Sequence, residues 1–541
     1  MNDTVKGRAK HPWDKRGKGE TRYDDIVIGS GMGGMTCAAL LATLGRKVLV
    51  LEQHYVPGGF THTFHRPGYT WDVGVHAIGE VTHHSLTGRL LSTLSRGELE
   101  WASLGSVYDT FLFPGDFHID FPDSPHAFRD NLAAAFPSDT RAIDGYLDRV
   151  KDVAAAMKSY YLARTLPAGP GAVVEAVLAR RARKVLDERT SDALAKLTPN
   201  PRLRTVLASQ WGYYGSIPKR SSFAMQALVT KHFMHGGYYP VGGSARIAET
   251  LLRTVANAGG WTRISSPVDQ ILLERGRAVG VRLESGEEIR AERVISAAGV
   301  ASTVTRLLPA EVGARRWVGD VARLEPGPAH VCLYLGFKGD IRKAGATAAN
   351  QWFYHTWSTE GDAAAWDVSA PENLDDAPVL YVSFPSLKDP EHVPGPEERH
   401  TGEVVTFVPW ESFASWQGSR WKKRGADYEA FKAAIKEKLL NQLLAHRPDL
   451  GPMIDHVELS TPLSTDHFTR PMAGSIYGLE PTPERFRCRW LRPKSPIPGL
   501  WFAGSEVVSV GVIGAMMGGV LAALACEPIR GARLVAGLRK R

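Results

Sequence analysis

The feature that most constrains the fold is a glycine-rich turn, residues 29–34, set between an apolar strand and an apolar helix. Residues 23–28 predict a short buried strand with a polar lead-in, and residues 35–44 predict the helix. A second strand is predicted over residues 47–52. This order is typical of a βαβ unit whose first turn binds a dinucleotide, so we expect an α/β fold built around a nucleotide site.

The glycines of the turn have the spacing G-x-G-x-x-G at Gly29, Gly31 and Gly34. Gly29 allows the tight turn, Gly31 lets the backbone approach a pyrophosphate, and Gly34 permits close packing of helix on strand. Free N–H groups and the positive end of the helix dipole then face the phosphates. Glu52 follows Gly34 by 18 residues, where its carboxylate can accept hydrogen bonds from ribose hydroxyls.

The segment after Glu52 favours FAD over NAD as the dinucleotide. Gly58 and Gly59 lie in residues 56–64, where two glycines let a loop pass close to a bulky cofactor. Residues 68–76 follow, whereas a simple NAD-binding domain would continue into a helix at this point. The pattern therefore predicts a flavin nucleotide.

Three later segments fit the same cofactor domain. A helix is predicted between Ser244 and Gly259, followed by a small antiparallel sheet with turns at 275–276 and 285–286. A strand over residues 293–299 ends in small residues that can lie beside the nucleotide. A last strand near residues 499–504 precedes residues 507–526, which carry no charge and are long enough to cross a bilayer.

The apolar segment 507–526 has two interpretations. Membrane spanning is one. The other is a buried helix whose N-terminus points at the flavin ring, where its dipole stabilises negative charge on the reduced flavin. We favour the buried helix, because the segment is rich in glycine and alanine rather than leucine and follows a strand and Glu506.

Composition narrows the class of protein. A chain of 541 residues predicts two or three domains. Cys37, Cys332, Cys488 and Cys526 form no C-x-x-C pair, which disfavours a disulfide framework or a zinc site and suits a reducing compartment. No apolar run follows the N-terminal charges, so no signal peptide is expected.

The positive charge is concentrated at the two ends of the chain. Residues 1–22 carry seven Lys/Arg against three acids, and residues 530–541 carry five Lys/Arg and no acid. These ends are either solubilising tails or a weak anchor to an anionic membrane surface. A nucleic-acid partner is not expected, because the body of the chain has no recognition motif.

Four segments together carry a family resemblance: residues 52–54, 57–64, 72–79 and 235–243. Fainter matches are 213–215, 222–225 and 474–478. On these residues the chain resembles the phytoene desaturase and carotenoid isomerase superfamily of FAD oxidoreductases and, within it, the retinol saturase-like proteins. Phe60 departs from the pattern, since saturase-like members often carry Cys there and desaturases carry Arg. The exact substrate therefore stays open.

The resemblance implies an α/β fold: a discontinuous FAD-binding, Rossmann-like domain of the glutathione reductase type, with a discontinuous α+β substrate domain. We expect the FAD-binding domain at residues 23–100, 236–305 and 490–528, and the substrate domain at 101–235 and 306–489. Residues 1–22 are expected to be a basic flexible tail and 529–541 a basic tail.

Within the substrate domain, long helical patterns cover residues 143–166, 173–197 and 428–446, and strands are predicted at 331–335 and 379–383.

The expected site residues fall into two groups, and no metal ligand is expected. Residues expected to hold non-covalent FAD are Gly29, Gly31, Gly33, Gly34, Glu52, Gln53, Gly58, Gly59, Phe60, Thr61, Val268, Ala298, Gly504, Ser505, Glu506, Gly514 and Ala515. Candidates for proton transfer are His62, His76, Glu80 and Glu506, each of which could instead serve loop packing or the cofactor. Trp211, Tyr213, Tyr214 and Phe233 are candidates for an apolar channel or for plain core.

These features predict an enzyme that saturates, desaturates or isomerises a carbon–carbon double bond in a hydrophobic retinoid- or carotenoid-like substrate. The alternatives are a fatty-acyl desaturase or double-bond isomerase, a non-catalytic flavin or lipid carrier, and an amine oxidase, although neither an aromatic cage nor a covalent flavin can be identified. Since one dinucleotide motif is present, electrons must be exchanged with an external partner: a quinone, oxygen or a reductase. The expected location is cytoplasmic, with peripheral contact on the inner membrane face.

Overall fold

The structure is a computed structural model that describes residues 11–15, 22–166, 168–358 and 365–539. Its strands are, in chain order, β1 (Trp13–Asp14), β2 (Arg22–Ile28), β3 (Val48–Leu51), β4 (Thr63–Arg66), β5 (Tyr69–Asp72), β6 (Trp101–Ser103), β7 (Val107–Phe113), β8 (Phe117–Pro122), β9 (Tyr238–Pro240), β10 (Trp261–Arg263), β11 (Val268–Glu274), β12 (Arg277–Leu283), β13 (Glu288–Ser296), β14 (Ala329–Phe337), β15 (Asn350–Tyr354), β16 (Val379–Ser383), β17 (His400–Val408), β18 (Ile454–Ser460) and β19 (Leu500–Phe502).

Helices cover much of the remaining chain. They are α1 (Met32–Thr43), α2 (Leu86–Leu94), α3 (Pro125–Ala135), α4 (Thr140–Arg164), α5 (Ala168–Leu178), α6 (Arg180–Leu186), α7 (Thr190–Ala195), α8 (Pro201–Ala208), α9 (Phe223–Phe233), α10 (Ala245–Asn257), α11 (Val300–Ser302), α12 (Ala310–Gly313), α13 (Arg316–Ala322), α14 (Ala426–His446), α15 (Pro462–Thr469), α16 (Pro483–Arg487), α17 (Gly511–Cys526) and α18 (Pro528–Arg539).

The first sheet has the order β1-β10-β3-β2-β13-β12-β11, with β19 also paired to β13. Strands β1, β10, β3, β2, β13 and β19 pair in parallel, whereas β11, β12 and the start of β13 form an antiparallel meander. The predicted βαβ unit and small antiparallel sheet are both present, and β13 joins them into one sheet. The mixed α/β fold class is confirmed.

Helices α1, α10 and α17 share one apolar core on one face of this sheet. The glycine content of α17 has a packing reason. A Cβ at Gly518 would lie 2.0 Å from the carbonyl oxygen of Gly504, and one at Gly519 would lie 2.2 Å from that of Gly33. Side chains would therefore separate α17 from α1 and from the turn after β19. The predicted buried helix is present at this position.

Among the helices of the described ranges, none is both long and apolar enough to span a membrane.

The second sheet, β18-β14-β17-β16-β15-β7-β8, is antiparallel except where β15 pairs with β7. Its strands β14, β15, β16 and β17 are buried on both faces. Phe353 and Leu380 point into the core shared with α14, whereas Trp352, Tyr381 and Phe407 point the other way, as the two-residue period of a strand requires. The division of the chain into domains stays a prediction.

The long helical pattern predicted over residues 173–197 is divided among three helices in the structure. The chain forms α5, α6 and α7 there, with breaks at Ala179 and at residues 187–189. At the second break the backbone bonds to another segment: Phe223 N donates to Glu188 O, and Thr190 N donates to Ser221 O. Backbone groups used in these tertiary hydrogen bonds cannot also continue a helix.

The two basic ends differ from the expected tails where they are described. Trp13–Asp14 is an edge strand paired with Thr262–Arg263, so residues 1–22 are not free at that point. Residues 1–10 and 16–21 lie outside the described residues. The C-terminal segment forms α18, whose Leu538 is 7% exposed and packs into the core of α1 and α17.

Candidate active site

A groove, here called the sheet-end groove, runs along the carboxyl ends of the parallel strands. Open α/β sheets bind ligands at this edge, because the loops that leave the strands there create a crevice. The groove is lined by residues that directly follow β2, β3, β13 and β19 and by residues 469–478. Of the residues expected to hold the cofactor, it contains Gly29, Gly31, Glu52, Gln53, Gly59, Phe60, Val268, Ala298, Ser505 and Glu506.

The glycine turn has the shape of a cradle for a phosphate group. A Cβ at Gly31 would meet nothing within 4 Å, so this position faces open space in the groove. Gly34 packs against the start of the turn, since its Cβ would be 2.0 Å from Gly29 O. Gly29 itself has a φ of 92°, which disfavours any side chain. The turn therefore fits a pyrophosphate laid against bare backbone.

Gly33 serves helix packing rather than the groove. Its Cβ would lie 2.4 Å from the Cα of Gly504, so these two expected cofactor residues hold the turn after β2 against the turn after β19. Gly504 has a φ of 98°. Neither residue lines the groove or the cavities described below.

Glu52 is buried at the end of β3 and reaches back to the glycine turn. Its Oε2 accepts hydrogen bonds from Ser30 N at 2.9 Å and Ser30 Oγ at 2.6 Å, and Oε1 accepts one from His54 N at 2.8 Å. Burial raises the pKa of Glu52, and these hydrogen bonds oppose that effect. The carboxylate thus fixes the turn and also lines the groove.

The loop after β3 follows the glycine turn closely. Gly58 N donates to Ser30 Oγ at 3.0 Å, and a Cβ at Gly59 would lie 2.9 Å from the Cα of Gly31. Phe60 lines both the groove and a second space, and Thr61 lines only that second space. The two glycines therefore allow the close passage that the sequence predicted.

That second space, the central cavity, has mostly aromatic and apolar walls. It meets the sheet-end groove along Phe60, Ile476, Tyr477 and Ser505, which line both. Its aromatic residues come from distant segments: Phe60, Tyr213, Trp352, Tyr381, Phe407 and Tyr477. The sequence indicated Phe60 as a cofactor residue and Tyr213 as a channel candidate, but not the other four, because the group is brought together only by the second sheet and the loops that cross it.

Helix α17 begins at the central cavity. Gly511, Val512 and Ala515, all from its first two turns, line the cavity, so the N-terminal end of the helix lies beside it. Gly514 lines the adjoining space described next. The expected proximity of this helix terminus to a cofactor ring is therefore compatible with the geometry.

A third space, the side cavity, adjoins the central cavity along Gly74, His76, Tyr213, Tyr477, Gly511 and Val512. Tyr214 and Phe233 line it, whereas Trp211 is buried without lining either cavity. Glu80, with its Oε1 2.9 Å from Lys231 Nζ, lies in its wall with His232. Burial disfavours the ionised form of Glu80, but His232 and Lys231 outweigh it and lower the pKa of Glu80 to about 2.

The four candidates for proton transfer do not converge on one point. His76 lines both cavities, Glu80 lines the side cavity, and Glu506 lines the sheet-end groove, where its Oε2 accepts a hydrogen bond from Ala301 N at 3.0 Å. His62 lines none of the three spaces. Its Nδ1 lies 2.5 Å from Gly59 O, and its ring is tilted against His54.

Sequence reasoning missed a group of buried side chains behind His76. We call it the buried polar cluster; it comprises Asp72, His76, Asp109, Asn350, Lys388 and Glu403. Lys388 Nζ donates to three neutral oxygens: His76 O at 2.7 Å, Asn350 Oδ1 at 2.5 Å and Ser383 Oγ at 2.6 Å. Asn350 Nδ2 then donates to Asp109 Oδ1 at 2.9 Å. The cluster is thus one connected network.

Glu403 and Asp109 connect this network to the cavity walls. Glu403 Oε1 accepts from Asp72 N at 3.0 Å, and its Oε2 lies 2.9 Å from His76 Nδ1. Asp109 accepts from the hydroxyl of Tyr213, a cavity residue, at 2.7 Å. The Asp72 carboxylate accepts from the hydroxyls of Tyr239 and Ser244.

Burial shifts the acid–base behaviour of the cluster strongly. Burial raises the pKa of Glu403 to about 8 and the pKa of Asp109 to about 6. Burial and the neighbouring carboxylate of Glu403 together raise the pKa of Asp72 to about 6. Burial lowers the pKa of Lys388 to about 7, and with the nearby Lys388 charge it lowers that of His76 to about 3. Several groups can therefore gain or lose a proton near neutral pH.

His76 was a candidate from the sequence and Asp72 lies in a segment that carries the family resemblance, but no sequence signal indicated the other four residues of the cluster. Lys388 and Glu403 occur singly in segments with no motif, and charged residues in such places are usually solvated. A buried lysine held by neutral oxygens is a tertiary arrangement, so only the packed structure reveals it.

Within the described ranges, no group of three or more His, Cys, Asp or Glu side chains is placed to hold a metal ion, and the four cysteines are unbridged. Cys37 and Cys332 are buried, and none of the four lines the groove or either cavity.

Comparison with known proteins identifies relatives over nearly the whole chain. Residues 32–526 match the family described as "Flavin containing amine oxidoreductase". The chain is 32% identical to all-trans-retinol 13,14-reductase of Danio rerio, over 94% of this chain and 85% of the relative. It is 26% identical to chloroplastic prolycopene isomerase of Arabidopsis thaliana, over 86% of this chain and 76% of the relative.

Solved structures show the same fold at low sequence identity. An oxidoreductase from Methanosarcina mazei superposes with a TM-score of 0.62 at 16% identity, covering 93% of this chain and all of the other. Cyclohexylamine oxidase from Brevibacterium oxydans gives a TM-score of 0.59 at 17% identity, covering 95% of this chain and 99% of the other.

Proposed function

The chain belongs to the flavin-containing amine oxidoreductase family, and from this premise we propose that it changes a carbon–carbon double bond in an extended apolar substrate of retinoid or carotenoid type. The chain is a flavin-dependent oxidoreductase. Its resemblance to the phytoene desaturase and carotenoid isomerase superfamily, and within it to retinol saturase-like proteins, is confirmed by the reductase and isomerase relatives.

One observation carries the proposal: the groove suited to a dinucleotide opens directly into an apolar, aromatic cavity. Phe60, Ile476, Tyr477 and Ser505 belong to both spaces. A cofactor ring at this junction would meet a substrate held among aromatic side chains, and such walls suit a conjugated chain better than a compact polar molecule.

We propose that the cofactor is FAD, held without a covalent bond. The residues of the sheet-end groove fit it, because Gly31 leaves open space beside bare backbone and Glu52 lies where a ribose hydroxyl can donate. The position of the cysteines outside the groove supports non-covalent binding, since no thiol is available there to attach a flavin.

A bound flavin supplies or accepts a hydride at a substrate carbon. The side chains of this chain have the remaining tasks. Tyr213, Trp352, Tyr381 and Phe407 exclude water and hold the reacting chain, while the first turns of α17 place a positive helix end beside the cofactor ring.

The joined cavities also fit a substrate with one polar end. The central and side cavities share six wall residues, so a long chain can extend from one into the other. Glu80, with Lys231 and His232 beside it, is the charged part of the side cavity wall. We propose that Glu80 helps to receive a hydroxyl group there rather than to transfer a proton. His62 and Glu506 then serve the loop and the cofactor groove.

The test is anaerobic single turnover with all-trans-retinol. The purified protein should carry flavin absorbance. After photoreduction, mixing with retinol should reoxidise the flavin and yield a product with two additional hydrogens, measured by absorbance and mass spectrometry. Incubating the reduced protein with prolycopene tests isomerisation, which changes no mass.

An amine oxidase would give the opposite pattern. The oxidised protein would then be bleached by a primary amine such as putrescine or cyclohexylamine, and the reduced protein would not react with either polyene. That result would contradict the proposal.

A titration of reduced protein with a quinone, with oxygen and with a flavoprotein reductase would identify the external electron partner.

A further inference from the structure

We propose that the proton exchanged with the substrate carbon passes through His76 and is supplied by Glu403 from the buried polar cluster. The inference rests on the proposed double-bond chemistry and extends it to the proton. Saturating a double bond requires a hydride and a proton, and the aromatic walls of the central cavity supply few groups able to provide the second.

Glu403 lies on the face of the second sheet that lines the central cavity. On β17 the side chains alternate, so Glu403 shares a face with Val405 and Phe407, both cavity residues. Glu403 is fully buried and is separated from the cavity by His76. Since it acts only through His76, Glu403 is a positioning residue and His76 is the catalytic one.

The contact between Glu403 and His76 is short, but it lacks the alignment of a hydrogen bond. Glu403 Oε2 and His76 Nδ1 are 2.9 Å apart, yet neither atom has an aligned hydrogen bond among the described residues, and both are buried from solvent. An unpaired buried polar atom is costly, and these two are adjacent. A proton on Glu403 donated to His76 Nδ1 after a small rotation would satisfy both atoms.

The second nitrogen of His76 completes the path. With Nδ1 directed at Glu403, Nε2 occupies the other side of the ring, and His76 lines both cavities. Within the described part of the chain, Nε2 makes no hydrogen bond to protein. His76 is therefore placed to carry a proton between a buried acid and a substrate atom.

Lys388 makes Glu403 able to lose that proton. Its ammonium group is held by three neutral oxygens and, among the residues that the structure describes, forms no direct ion pair with a carboxylate, so its charge acts on Glu403 through space. Burial raises the pKa of Glu403 to about 8 and lowers that of His76 to about 3. At neutral pH the acid holds its proton and the imidazole is neutral, which are the states the path needs.

The proposed step transfers one hydride and two protons. One substrate carbon receives a hydride with its electron pair from the two-electron-reduced flavin, which is oxidised. The neighbouring carbon receives the proton of His76 Nε2, so an N–H bond breaks and a C–H bond forms. His76 Nδ1 takes the proton of Glu403, whose O–H bond breaks. His76 ends neutral as the other tautomer, and Glu403 ends as a carboxylate near Lys388.

Other ionisable groups face this pair and share its pH dependence. They are Asp72 on β5, Asp109 on β7, Tyr239 on β9, three residues of β14 (His330, Cys332 and Tyr334), and Lys388 after β16. Burial lowers the pKa of His330 to about 4 and raises those of the thiol and the tyrosines, so near pH 8 the groups that change charge are Glu403 and Lys388.

The first test needs no substrate. Infrared spectra of the flavin-loaded protein should contain the carbonyl stretch of a protonated carboxyl group that disappears as pH rises through about 8, and Glu403→Gln should lack this band. A wild-type protein without a titrating band, or an unchanged band in Glu403→Gln, would overturn the proposal. The wild-type titration decides the point even if the variant folds poorly.

The second test measures proton transfer in a single turnover with retinol in D2O. Wild-type protein should lose rate above pH about 8, because the acid must be protonated to donate. Glu403→Gln should retain flavin binding, react about 100-fold more slowly, and lose this pH dependence. His76→Asn should be at least as slow.

Glu458→Gln is the matched control. Glu458 lies on β18 of the same sheet and pairs with Arg66 at 2.7 Å, outside the cluster. It should keep both the rate and the pH profile. If wild-type protein reduces no alkene, the proposed function fails. If wild-type and Glu403→Gln proteins react equally and with the same pH profile, only the proton path fails.

Discussion

Substitution of Gly31 is the most direct test of the proposed nucleotide site. The missing Cβ of Gly31 would point into open space, so a larger residue there changes the groove without disturbing the core. Its φ of −63° is accessible to other residues. Substitution at this position therefore separates binding from folding.

We predict that Gly31→Asp abolishes flavin binding, because it places a carboxylate where a pyrophosphate is expected. Gly31→Ala adds a methyl group without charge and should retain most of the flavin. Combining Gly31→Asp with Glu52→Ala should also give a colourless protein. The measurements are the visible spectrum and the thermal unfolding curve; a yellow Gly31→Asp protein would refute the site.

Glu403 and Glu52 show how environment decides the role of a buried carboxyl group. Burial opposes ionisation of both. Glu52 accepts three hydrogen bonds, two from Ser30 and one from His54 N, which favour its charged form, whereas Glu403 accepts one from Asp72 N. Glu52 is therefore suited to fix the glycine turn as a carboxylate, and Glu403 is suited to carry a proton.

At the scale of elements, the contact between α1 and α17 depends on bare backbone. Helices normally pack 8–10 Å apart through their side chains. Here Gly519 lies directly on Gly33 O, and Gly518 lies on Gly504 O. Because Gly33 and Gly504 follow β2 and β19, this contact also fixes the wall of the groove.

We predict that Gly519→Ala destabilises the protein by about 2 kcal/mol or more, because its Cβ would overlap a carbonyl oxygen that cannot move independently. Gly537→Ala is the matched control. It lies in α18, where a Cβ would meet nothing within 4 Å, and should be neutral or stabilising by up to about 1 kcal/mol. Chemical denaturation of both variants measures the difference, and equal effects would contradict the packing argument.

At the scale of the whole molecule, the groove joins segments that are distant in the sequence. Its walls come from residues 28–60, 266–307 and 469–506. A ligand that contacts all three stabilises the folded chain relative to the unfolded one, which has no such groove.

We therefore predict that removing the flavin lowers the unfolding temperature. At a ligand concentration 100-fold above Kd, the stabilisation lost is about 2.7 kcal/mol. Adding FAD should restore the temperature, whereas riboflavin, which lacks the pyrophosphate and adenosine, should restore little of it. Equal unfolding temperatures with and without FAD would contradict a site that spans the three segments.

The sequence by itself determined the nucleotide half of the molecule. Gly29, Gly31, Gly34 and Glu52 lie within 24 consecutive residues, so their spacing along the chain also sets their spacing in space. The buried position of α17 was likewise predictable, because glycine and alanine at close intervals along a helix allow neighbouring backbone to pack closely against it. The breaks within the helical pattern over 173–197 were not predicted, since local periodicity cannot detect a backbone that bonds to another segment.

Only the tertiary structure revealed how the walls of the central cavity and the members of the buried polar cluster come together. Asp72 and Glu403 are separated by 331 residues and His76 and Lys388 by 312, yet each pair is in hydrogen-bond contact. No repeat or spacing connects such residues, because their proximity arises when the second sheet packs against the loops that follow β5. Burial then changes their pKa values, and burial is a property of the folded chain.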